Sequence, residues 1–403
     1  MIKTPSSERL KIVIFGKRNA GKSSLINQIA QKQVAITSNV AGTTTDPVNY
    51  AMELADLGPA TFIDTAGIDD EGELGNLRIG KTIEKLKIAD LCVFVTPANE
   101  EITEKEIHFF NDAKSKKPIF VVFTFYENWI HPSKIFLTKE IWIGVDNIKG
   151  IGHVELRKKI IEMKNLINFE PKLLDGVVQQ NDLVLLVTPI DMAAPKGRLI
   201  LPQVETIREL LDNNCAALVV KETQLKYFYD SLSKKPDLVI TDSQAFDKVS
   251  KDLPKQQKLT SFSILMARKK GDLLPFIRSI KRFSKLKPYS KVLILETCNH
   301  HKQPDDIGTV KIPKLVNNFI DPTITFSWQK ELYDISQLNG FDAVIMCGGC
   351  MVSRNQYIDT MQMIESKDLP LINYGLFFAW VNGLLPRAIE IFPDLYEEYL
   401  NLY

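Results

Sequence analysis

The first residues in this chain that could do chemistry form a glycine-rich run near its N-terminus. Residues 16–23 read G-K-R-N-A-G-K-S and match G-x-x-x-x-G-K-[ST], a loop that binds nucleotide phosphates. Its glycines let backbone N–H groups turn toward the phosphates, and a following helix adds its dipole. Lys22 would neutralise the β- and γ-phosphates, while the Ser23 hydroxyl would bind magnesium. The expected nucleotide-binding residues of this loop are Gly16, Asn19, Ala20, Gly21, Lys22, Ser23 and Ser24.

Two more motifs follow in the order that is typical of small GTPases. Asp64-Thr65-Ala66-Gly67 is a D-x-x-G motif, whose aspartate can hold magnesium through water and whose glycine N–H can meet the γ-phosphate. Between it and the phosphate loop lies Gly42-Thr43-Thr44-Thr45-Asp46, where a hydroxyl would complete the magnesium shell. Ile68 occupies the position at which Ras-like proteins carry glutamine. Isoleucine cannot orient water, so we expect slow intrinsic hydrolysis.

The motif that reads guanine, N-K-x-D, is eroded. After the apolar run 119–123 the chain continues Thr124-Phe125-Tyr126-Glu127-Asn128. Glu127 could replace the aspartate by accepting both guanine N–H groups, but nothing in the sequence replaces the asparagine and lysine. The later S-A-K-like motif is equally degraded around Gly144-Val145-Asp146. GTP is therefore the expected nucleotide, with reduced affinity or discrimination.

These motifs resemble those of the GTPase branch that includes Era and the tRNA-modification protein MnmE. The resemblance rests on Asn19, on G-T-T-x-D at residues 42–46 and on D-x-x-G at residues 64–67. It implies that Thr44 is the magnesium-binding switch threonine, with Thr43 and Thr45 as alternatives. It also implies a potassium ion, held partly by Asn19, that stimulates hydrolysis. The catalytic set is then Lys22, Thr44, Asp64 and Gly67.

Three of the five cysteines gather in the last third of the chain. Cys298 follows one apolar run and Cys347-Gly348-Gly349-Cys350 follows another, beyond the carboxyl ends of two expected parallel strands. Thiolates suit zinc or an iron–sulfur cluster. Three cysteines with His300 would make a structural zinc site, whereas a four-iron cluster would use the cysteines and leave one iron for another ligand. The spacing leaves both open, and His300 or His301 is a candidate ligand in either case.

Strand-like and helix-like segments alternate throughout, which predicts an α/β protein with mainly parallel sheets. We expect three domains: a doubly wound P-loop GTPase domain at 1–170, a smaller α/β domain at 171–265 and another at 266–403. Cys92 and Cys215 lie in apolar runs and are expected to be buried thiols.

The composition is that of an ordinary soluble globular protein. The net charge is +1, and 45% of the residues are hydrophobic. This charge gives no global basic field for nucleic acid. No apolar run reaches the roughly 20 residues of a membrane span, and residues 1–10 lack a signal-peptide core. We therefore expect a cytoplasmic protein that contacts neither nucleic acid nor membrane.

The combination of a potassium-type GTPase, an α/β middle region and C-x-H-x46-C-x-x-C resembles the HydF family of FeFe-hydrogenase maturation GTPases. The resemblance covers essentially the whole chain and includes residues 189–198, which look like the family's dimerisation domain. It implies a homodimer with a 4Fe-4S cluster on Cys298, Cys347 and Cys350.

The same resemblance implies a cargo and partners. The last domain would carry a transient diiron subcluster precursor, made with two radical-SAM maturases, and deliver it to the FeFe-hydrogenase apo-enzyme. The main alternative is a zinc-stabilised Era/MnmE-like GTPase that acts on RNA or the ribosome. A membrane-active metal-transport GTPase is a third and less favoured hypothesis.

Overall fold

The computed structural model describes residues 4–30, 47–54, 58–70, 72–167, 171–189, 199–296 and 306–402. The chain divides into two compact units, Met1–Phe169 and Glu170–Tyr403. Each unit is built on parallel sheets covered by helices.

The first unit contains a six-stranded sheet with the order β2-β3-β1-β4-β5-β6. All neighbouring strands are parallel except β2, which pairs antiparallel with β3 at the edge. Side chains of β1 alternate between two cores: Ile12 and Ile14 pack on one face, Val13 and Phe15 on the other. The strands are β1 Leu10–Phe15, β2 Val48–Leu54, β3 Gly58–Asp64, β4 Leu91–Pro97, β5 Ile119–Thr124 and β6 Trp142–Gly144.

Helices cover both faces of this sheet. In the described part of this unit the α-helices are α1 Lys22–Ala30, α2 Gly72–Ile88, α3 Glu104–Lys116 and α4 His153–Glu162. Short 3-10 helices span Ser6–Glu8, Pro132–Lys139 and Met163–Leu166. A capping box between Thr103 and Glu106 starts α3. Because the sheet is parallel, the loops after β1, β3, β5 and β6 meet at one edge, where a doubly wound fold binds its ligand.

The second unit contains two four-stranded parallel sheets, with the orders β10-β9-β7-β8 and β12-β11-β13-β14. The strands of the first of these sheets are β7 Leu183–Val187, β8 Ala216–Val220, β9 Leu238–Thr241 and β10 Leu259–Ser261. Those of the second are β11 Lys291–Leu295, β12 Thr325–Gln329, β13 Ala343–Met346 and β14 Leu371–Asn373.

The helices of this unit pack around both sheets. They are α5 Leu201–Asp212, α6 Leu225–Ser231, α7 Phe246–Asp252, α8 Phe262–Lys270, α9 Leu274–Phe283, α10 Ile312–Phe319, α11 Arg354–Ser366, α12 Tyr374–Val381, α13 Leu385–Ile389 and α14 Pro393–Leu402. One-turn segments are the 3-10 helices Ser243–Ala245 and Ile335–Leu338 and the π-helix Ile307–Lys311.

A single hydrophobic core joins the two sheets of the second unit. Helix α8 lies between them, contacting α5 and β10 on one side and α11, α12 and β14 on the other. The Thr260 hydroxyl, in β10, also donates a hydrogen bond to the Ala388 carbonyl at 2.9 Å. The expected division between residues 265 and 266 falls on α8, so the three-domain boundaries stay a prediction.

The α/β class with mainly parallel sheets is confirmed. Cys92 and Cys215 are buried free thiols, as expected, and burial raises the pKa of Cys92 to about 12. Among the helices of the described ranges, none combines the length and the apolar character needed to cross a bilayer.

Candidate functional site

The phosphate loop connects β1 to α1 and passes close to β4. A Cβ atom on Gly16 would lie 2.0 Å from the carbonyl oxygen of Val95, so only glycine fits there. Asn19 and Gly21 have positive φ angles of 59° and 89°, which asparagine and glycine tolerate better than other residues. These local requirements turn the loop back toward the first turn of α1.

Lys22 is held inside this loop. Its Nζ donates hydrogen bonds to the carbonyl oxygens of Gly16 at 3.0 Å and Lys17 at 2.7 Å. Burial lowers the pKa of Lys22, while the carboxylates of Asp64, Asp69 and Asp70 oppose that shift. A cation held by neutral carbonyls, with acidic groups nearby, is suited to exchange those carbonyls for phosphate oxygens.

Ser23 and Asp64 are the described residues of the expected magnesium site. The Ser23 hydroxyl donates to Asp64 Oδ2 at 2.5 Å, since the register of β1 with β3 brings the end of β3 beside the loop. Asp64 Oδ1 is buried and has no hydrogen-bond partner within the described ranges. Burial raises the pKa of this carboxyl group, opposed by Ser23 and Lys22. Hard oxygen donors of this kind suit magnesium, so these residues fit the ion.

The threonine loop expected to complete that shell, Gly42–Asp46 with Thr44, lies outside the described residues. The position of Thr44 relative to Ser23 and Asp64 therefore stays a prediction.

Gly67 lies directly against the phosphate loop. A Cβ atom on it would be 2.9 Å from the backbone nitrogen of Arg18 and 3.1 Å from its Cα. The same region is tied by two hydrogen bonds, from Ile68 N to the Gly16 carbonyl at 3.3 Å and from Arg18 N to Asp69 Oδ1 at 2.6 Å. The Ile68 side chain is fully buried in the core. The expectation of slow intrinsic hydrolysis stays a prediction.

The loops after β5 and β6 are fastened to the phosphate loop by residues that sequence reasoning missed. The Thr124 hydroxyl donates to the Ala20 carbonyl at 2.7 Å, and Asn147 Nδ2 donates to the Gly21 carbonyl at 3.2 Å. Thr124 occupies the position of the asparagine in N-K-x-D, and its hydroxyl links this loop to the phosphate loop. The only sequence signal was a polar residue at the end of an apolar strand.

Glu127 is held by a lysine that the sequence hypothesis did not include. Lys149 Nζ donates to Glu127 Oε1 at 2.9 Å and lies 3.5 Å from Asp146 Oδ2. Asp146 Oδ1 accepts the backbone N–H groups of Lys149 at 3.0 Å and Ile148 at 2.8 Å, and these bonds lower the pKa of Asp146. The hydrogen bond to Glu127 raises the pKa of Lys149. Glu127 is thus exposed and paired with Lys149, and its role as guanine acceptor stays a prediction.

The second candidate site lies beyond the carboxyl end of β13. Its register with β11 places Leu295 opposite Met346, and the Cys347 N–H donates to the Leu295 carbonyl at 3.0 Å. Cys347 is buried and Cys350 is partly exposed. The chain leaves β11 three residues before Cys298. The pairing therefore sets the starting points of both cysteine segments side by side.

Tyr357, in α11, supports the turn between the two cysteines. Its hydroxyl donates to the Cys347 carbonyl at 3.1 Å. A Cβ atom on Gly349 would lie 2.4 Å from the Tyr357 ring, and Gly349 has a positive φ of 67°. Gly349 is thus required both by the ring and by the backbone conformation.

Cys298 and His300 lie outside the described residues, as does His301. Within the described ranges, no three or more His, Cys, Asp or Glu side chains are grouped to hold a metal ion. Two thiolates beside one strand end are the donor type that zinc and iron–sulfur clusters require. The described donors fit such a group, with Cys298 as the expected third ligand.

Comparison with protein families resolves the chain into three successive matches. Residues 11–125 match the family described as 50S ribosome-binding GTPase. Residues 173–271 match the hydrogen maturase F dimerization domain, and residues 275–391 match the hydrogen maturase F tetramerization domain. The last two together cover more than half of the chain and are specific to one family. The chain belongs to the hydrogen maturase F family. Its first unit carries the GTPase domain, and its second carries the family's dimerization and tetramerization domains.

Two curated relatives each match less than half of the chain. The tRNA modification GTPase MnmE of Aquifex aeolicus is 34% identical over 157 residues, which are 38% of this chain and 34% of that protein. MnmE of Malacoplasma penetrans is 42% identical over 113 residues, 28% of this chain and 25% of that protein. The chain thus spans about a third or less of the length of these relatives. A crystal structure of Aquifex aeolicus Era is 20% identical with a TM-score of 0.32, covering 52% of this chain and 92% of Era.

Proposed function

We propose that this member of the hydrogen maturase F family is a GTP-hydrolysing scaffold and carrier. It would bind a 4Fe-4S cluster, hold the diiron subcluster precursor as cargo and deliver it to the FeFe-hydrogenase apo-enzyme. The observation that carries the proposal is the succession of a GTPase domain and the two dedicated family domains in one chain. The cysteine turn at the end of β13 supports it, because it offers soft ligands suited to iron–sulfur chemistry.

The nucleotide part of the proposal rests on the phosphate loop. Lys22 would neutralise the β- and γ-phosphates, and the Gly67 N–H would bind a γ-phosphate oxygen. Magnesium would be held by Ser23 and Thr44, with Asp64 binding through water. Asn19 would contribute to a potassium site, and Glu127 would accept the guanine N–H groups. We expect slow intrinsic turnover, since Ile68 is buried.

The cluster-binding part of the proposal rests on the cysteines that follow β11 and β13. Cys298, Cys347 and Cys350 would hold three irons of a 4Fe-4S cluster, and His300 is a candidate for the fourth. Such a cluster would supply an attachment point for the precursor at an iron that no cysteine binds. The backbone bond between Cys347 and Leu295 and the Tyr357 hydroxyl would keep the thiolates in place.

The organisation that we propose is three domains, at 1–170, 171–265 and 266–403, in a cytoplasmic homodimer. Residues 190–198 of the expected dimerisation segment lie outside the described residues. Support comes from the family's dimerization and tetramerization domains. The radical-SAM maturases that make the precursor would be transient partners. Nucleotide and cysteine motifs lie in different units, so GTP would act through a change in domain or partner arrangement.

The function is tested by activation of hydrogenase. The purified chain, loaded by the two maturases, should convert the FeFe-hydrogenase apo-enzyme into hydrogen-producing enzyme. A variant with Cys347→Ser and Cys350→Ser should lose this ability, whereas Cys215→Ser, at a buried thiol just before β8 in the same unit, should keep it. Equal activation by the double variant and the unaltered protein would contradict the carrier role.

Asn19→Ala tests the potassium site. We expect hydrolysis by the unaltered protein to be faster in potassium than in sodium, because potassium adds positive charge beside the phosphates. In the variant, the ratio of the rate in potassium to the rate in sodium should fall by roughly 10-fold or more, while a nucleotide analogue still binds. Initial rates in matched potassium and sodium salts provide the measurement. Equal rates in both salts for the unaltered protein would remove potassium from the mechanism.

A further inference from the structure

Hydrolysis of GTP requires positive charge near the γ-phosphate, and Ile68 cannot help because its side chain is in the core. The phosphate loop itself has three cationic residues, Lys17, Arg18 and Lys22. Two of them have protein partners. Lys17 pairs with the Glu100 carboxylate, and Lys22 donates to two loop carbonyls.

Arg18 differs from both. It is exposed, and within the described ranges its one polar contact is made by its backbone nitrogen, not by its guanidinium. That backbone N–H donates to Asp69 Oδ1 at 2.6 Å, which fixes the main chain of Arg18 against the D-x-x-G loop. The side chain is left available for a ligand.

The place where this side chain starts is close to the expected γ-phosphate. A Cβ atom on Gly67 would lie only 3.1 Å from the Arg18 Cα. In GTPases the D-x-x-G glycine binds the γ-phosphate through its N–H. An arginine that begins beside this glycine can place its guanidinium on the equatorial γ-phosphate oxygens, and its planar fork suits two such oxygens at once.

We propose that Arg18 is a catalytic residue for GTP hydrolysis, supplied by the phosphate loop itself. The proposal rests on the GTPase function proposed above. In the reaction a water oxygen forms a bond to the γ-phosphorus, and the bond from that phosphorus to the β–γ bridging oxygen breaks. The bond electrons stay on GDP, and one water proton goes to the released phosphate and the other to solvent. The Arg18 guanidinium binds the γ-phosphate oxygens throughout and stabilises the charge of the transition state.

Arg18→Ala and Arg18→Lys test this assignment in the full-length chain. Single-turnover hydrolysis should fall about 10²- to 10³-fold in Arg18→Ala, while the affinity for a non-hydrolysable GTP analogue changes less than about 3-fold. Arg18→Lys should recover part of the rate, since it restores the charge without the fork. Lys105→Ala, at an exposed lysine on α3, is the control and should match the unaltered protein.

A second readout does not depend on turnover. The unaltered protein with GDP should bind aluminium fluoride as a mimic of the transferred phosphoryl group, and Arg18→Ala should bind GDP normally but lose the fluoride complex. Unchanged hydrolysis in Arg18→Ala, or a rate loss matched by an equal loss of analogue affinity, would overturn the assignment. If the unaltered protein does not hydrolyse GTP at all, the GTPase proposal fails together with it. If the unaltered protein hydrolyses GTP and Arg18→Ala does so at the same rate, only the role of Arg18 is removed.

Discussion

At the scale of single residues, the proposed guanine acceptor, Glu127, forms an ion pair that links two loops. Glu127 follows β5, and Lys149, which follows β6, donates to its carboxylate at 2.9 Å. Asp146 anchors Lys149 by accepting its backbone N–H. Thr124 and Asn147 fasten both loops to the phosphate loop. Both loops are therefore fixed relative to the phosphate loop, although N-K-x-D is eroded.

Glu127→Gln should reverse the base preference. The carboxylate accepts two N–H groups of guanine, whereas an amide presents a donor that suits the extra carbonyl of xanthine. We expect GTP affinity to fall about 10- to 100-fold and the preference for xanthosine triphosphate over GTP to rise. Nucleotide affinities measured by competition provide the test.

Lys149→Met should show a weaker form of the same defect, and the two substitutions together should be no worse than Glu127→Gln alone. Lys159→Met is the matched control, because Lys159 forms an exposed ion pair with Glu162 on α4. If all variants keep the GTP preference of the unaltered protein, the pair does not read the base.

At the scale of elements, the turn between β13 and α11 has strict local requirements. Gly349 combines a positive φ with close contact to the Tyr357 ring, and Ser353 caps α11 by accepting the Gln356 N–H. The turn is thus held from both sides by packing and capping.

Gly349→Ala should distort this turn and lower the iron bound after anaerobic reconstitution to less than about half, because the new Cβ collides with Tyr357. Gly383→Ala is the control, since Gly383 has a similar φ of 68° but its new Cβ would meet no described atom within 4 Å. Gly383→Ala therefore introduces the same backbone strain as Gly349→Ala, but no steric clash of its Cβ with a described atom. Equal iron loss in both variants would show that strain alone, not the Tyr357 contact, matters.

A buried lysine gives the first unit a distinctive pH response. Lys134 is fully buried in the 3-10 helix Pro132–Lys139, and its Nζ donates to the Pro97 carbonyl at 2.7 Å. Burial lowers the pKa of Lys134 from 10.5 to about 8. The Glu106 carboxylate opposes this shift, and smaller effects come from Lys17, which lowers the pKa, and Glu100, which raises it. Between these two pKa values the folded protein binds fewer protons than the unfolded chain.

Stability should therefore rise as the pH increases from about 8 to 10.5, and below 8 the full cost of burying the ammonium group is present. Lys134→Met should lack this rise, which we expect to amount to ~1–3 kcal/mol. Thermal unfolding of the two proteins, compared at each pH, isolates the lysine from other titrating groups. A constant difference between them from pH 7 to 10 would contradict the assignment.

Much of the element order could be predicted from apolar runs. Apolar runs at residues 183–187, 216–220, 238–241 and 343–346 each predict a strand. The structure has strands with the same bounds, Leu183–Val187, Ala216–Val220, Leu238–Thr241 and Ala343–Met346. The strands β2, β6, β10 and β12 are not predicted by apolar runs, and all four lie at sheet edges. Among the described side chains of β2, only Met52 is buried, and β12 has no buried residue. An edge strand needs no continuous apolar run.

The candidate site was predictable where its signal is local. G-x-x-x-x-G-K-S and C-x-x-C each specify a turn within a few residues of a strand end. Thr124 and Lys149 were not predictable, because their partners, Ala20 and Glu127, are distant in sequence or lie on another loop. Only the packed sheet brings these loops together.

At the scale of the whole molecule, the phosphate loop and the cysteine turn lie in separate compact units. In the second unit, one core joins both sheets, so a change in the dimerization domain can reach the cysteine turn through α8. Coupling to GTP then requires two arrangements of the protein and a nucleotide that favours one of them.

The central claim is that the last sheet holds an iron–sulfur cluster. Anaerobic reconstitution followed by iron, sulfide and zinc analysis with optical spectra tests it most directly. We predict about four irons and four sulfides per chain, with both lost when Cys347 and Cys350 are replaced by serine. One equivalent of zinc without sulfide would contradict this claim and would favour the zinc-stabilised GTPase instead.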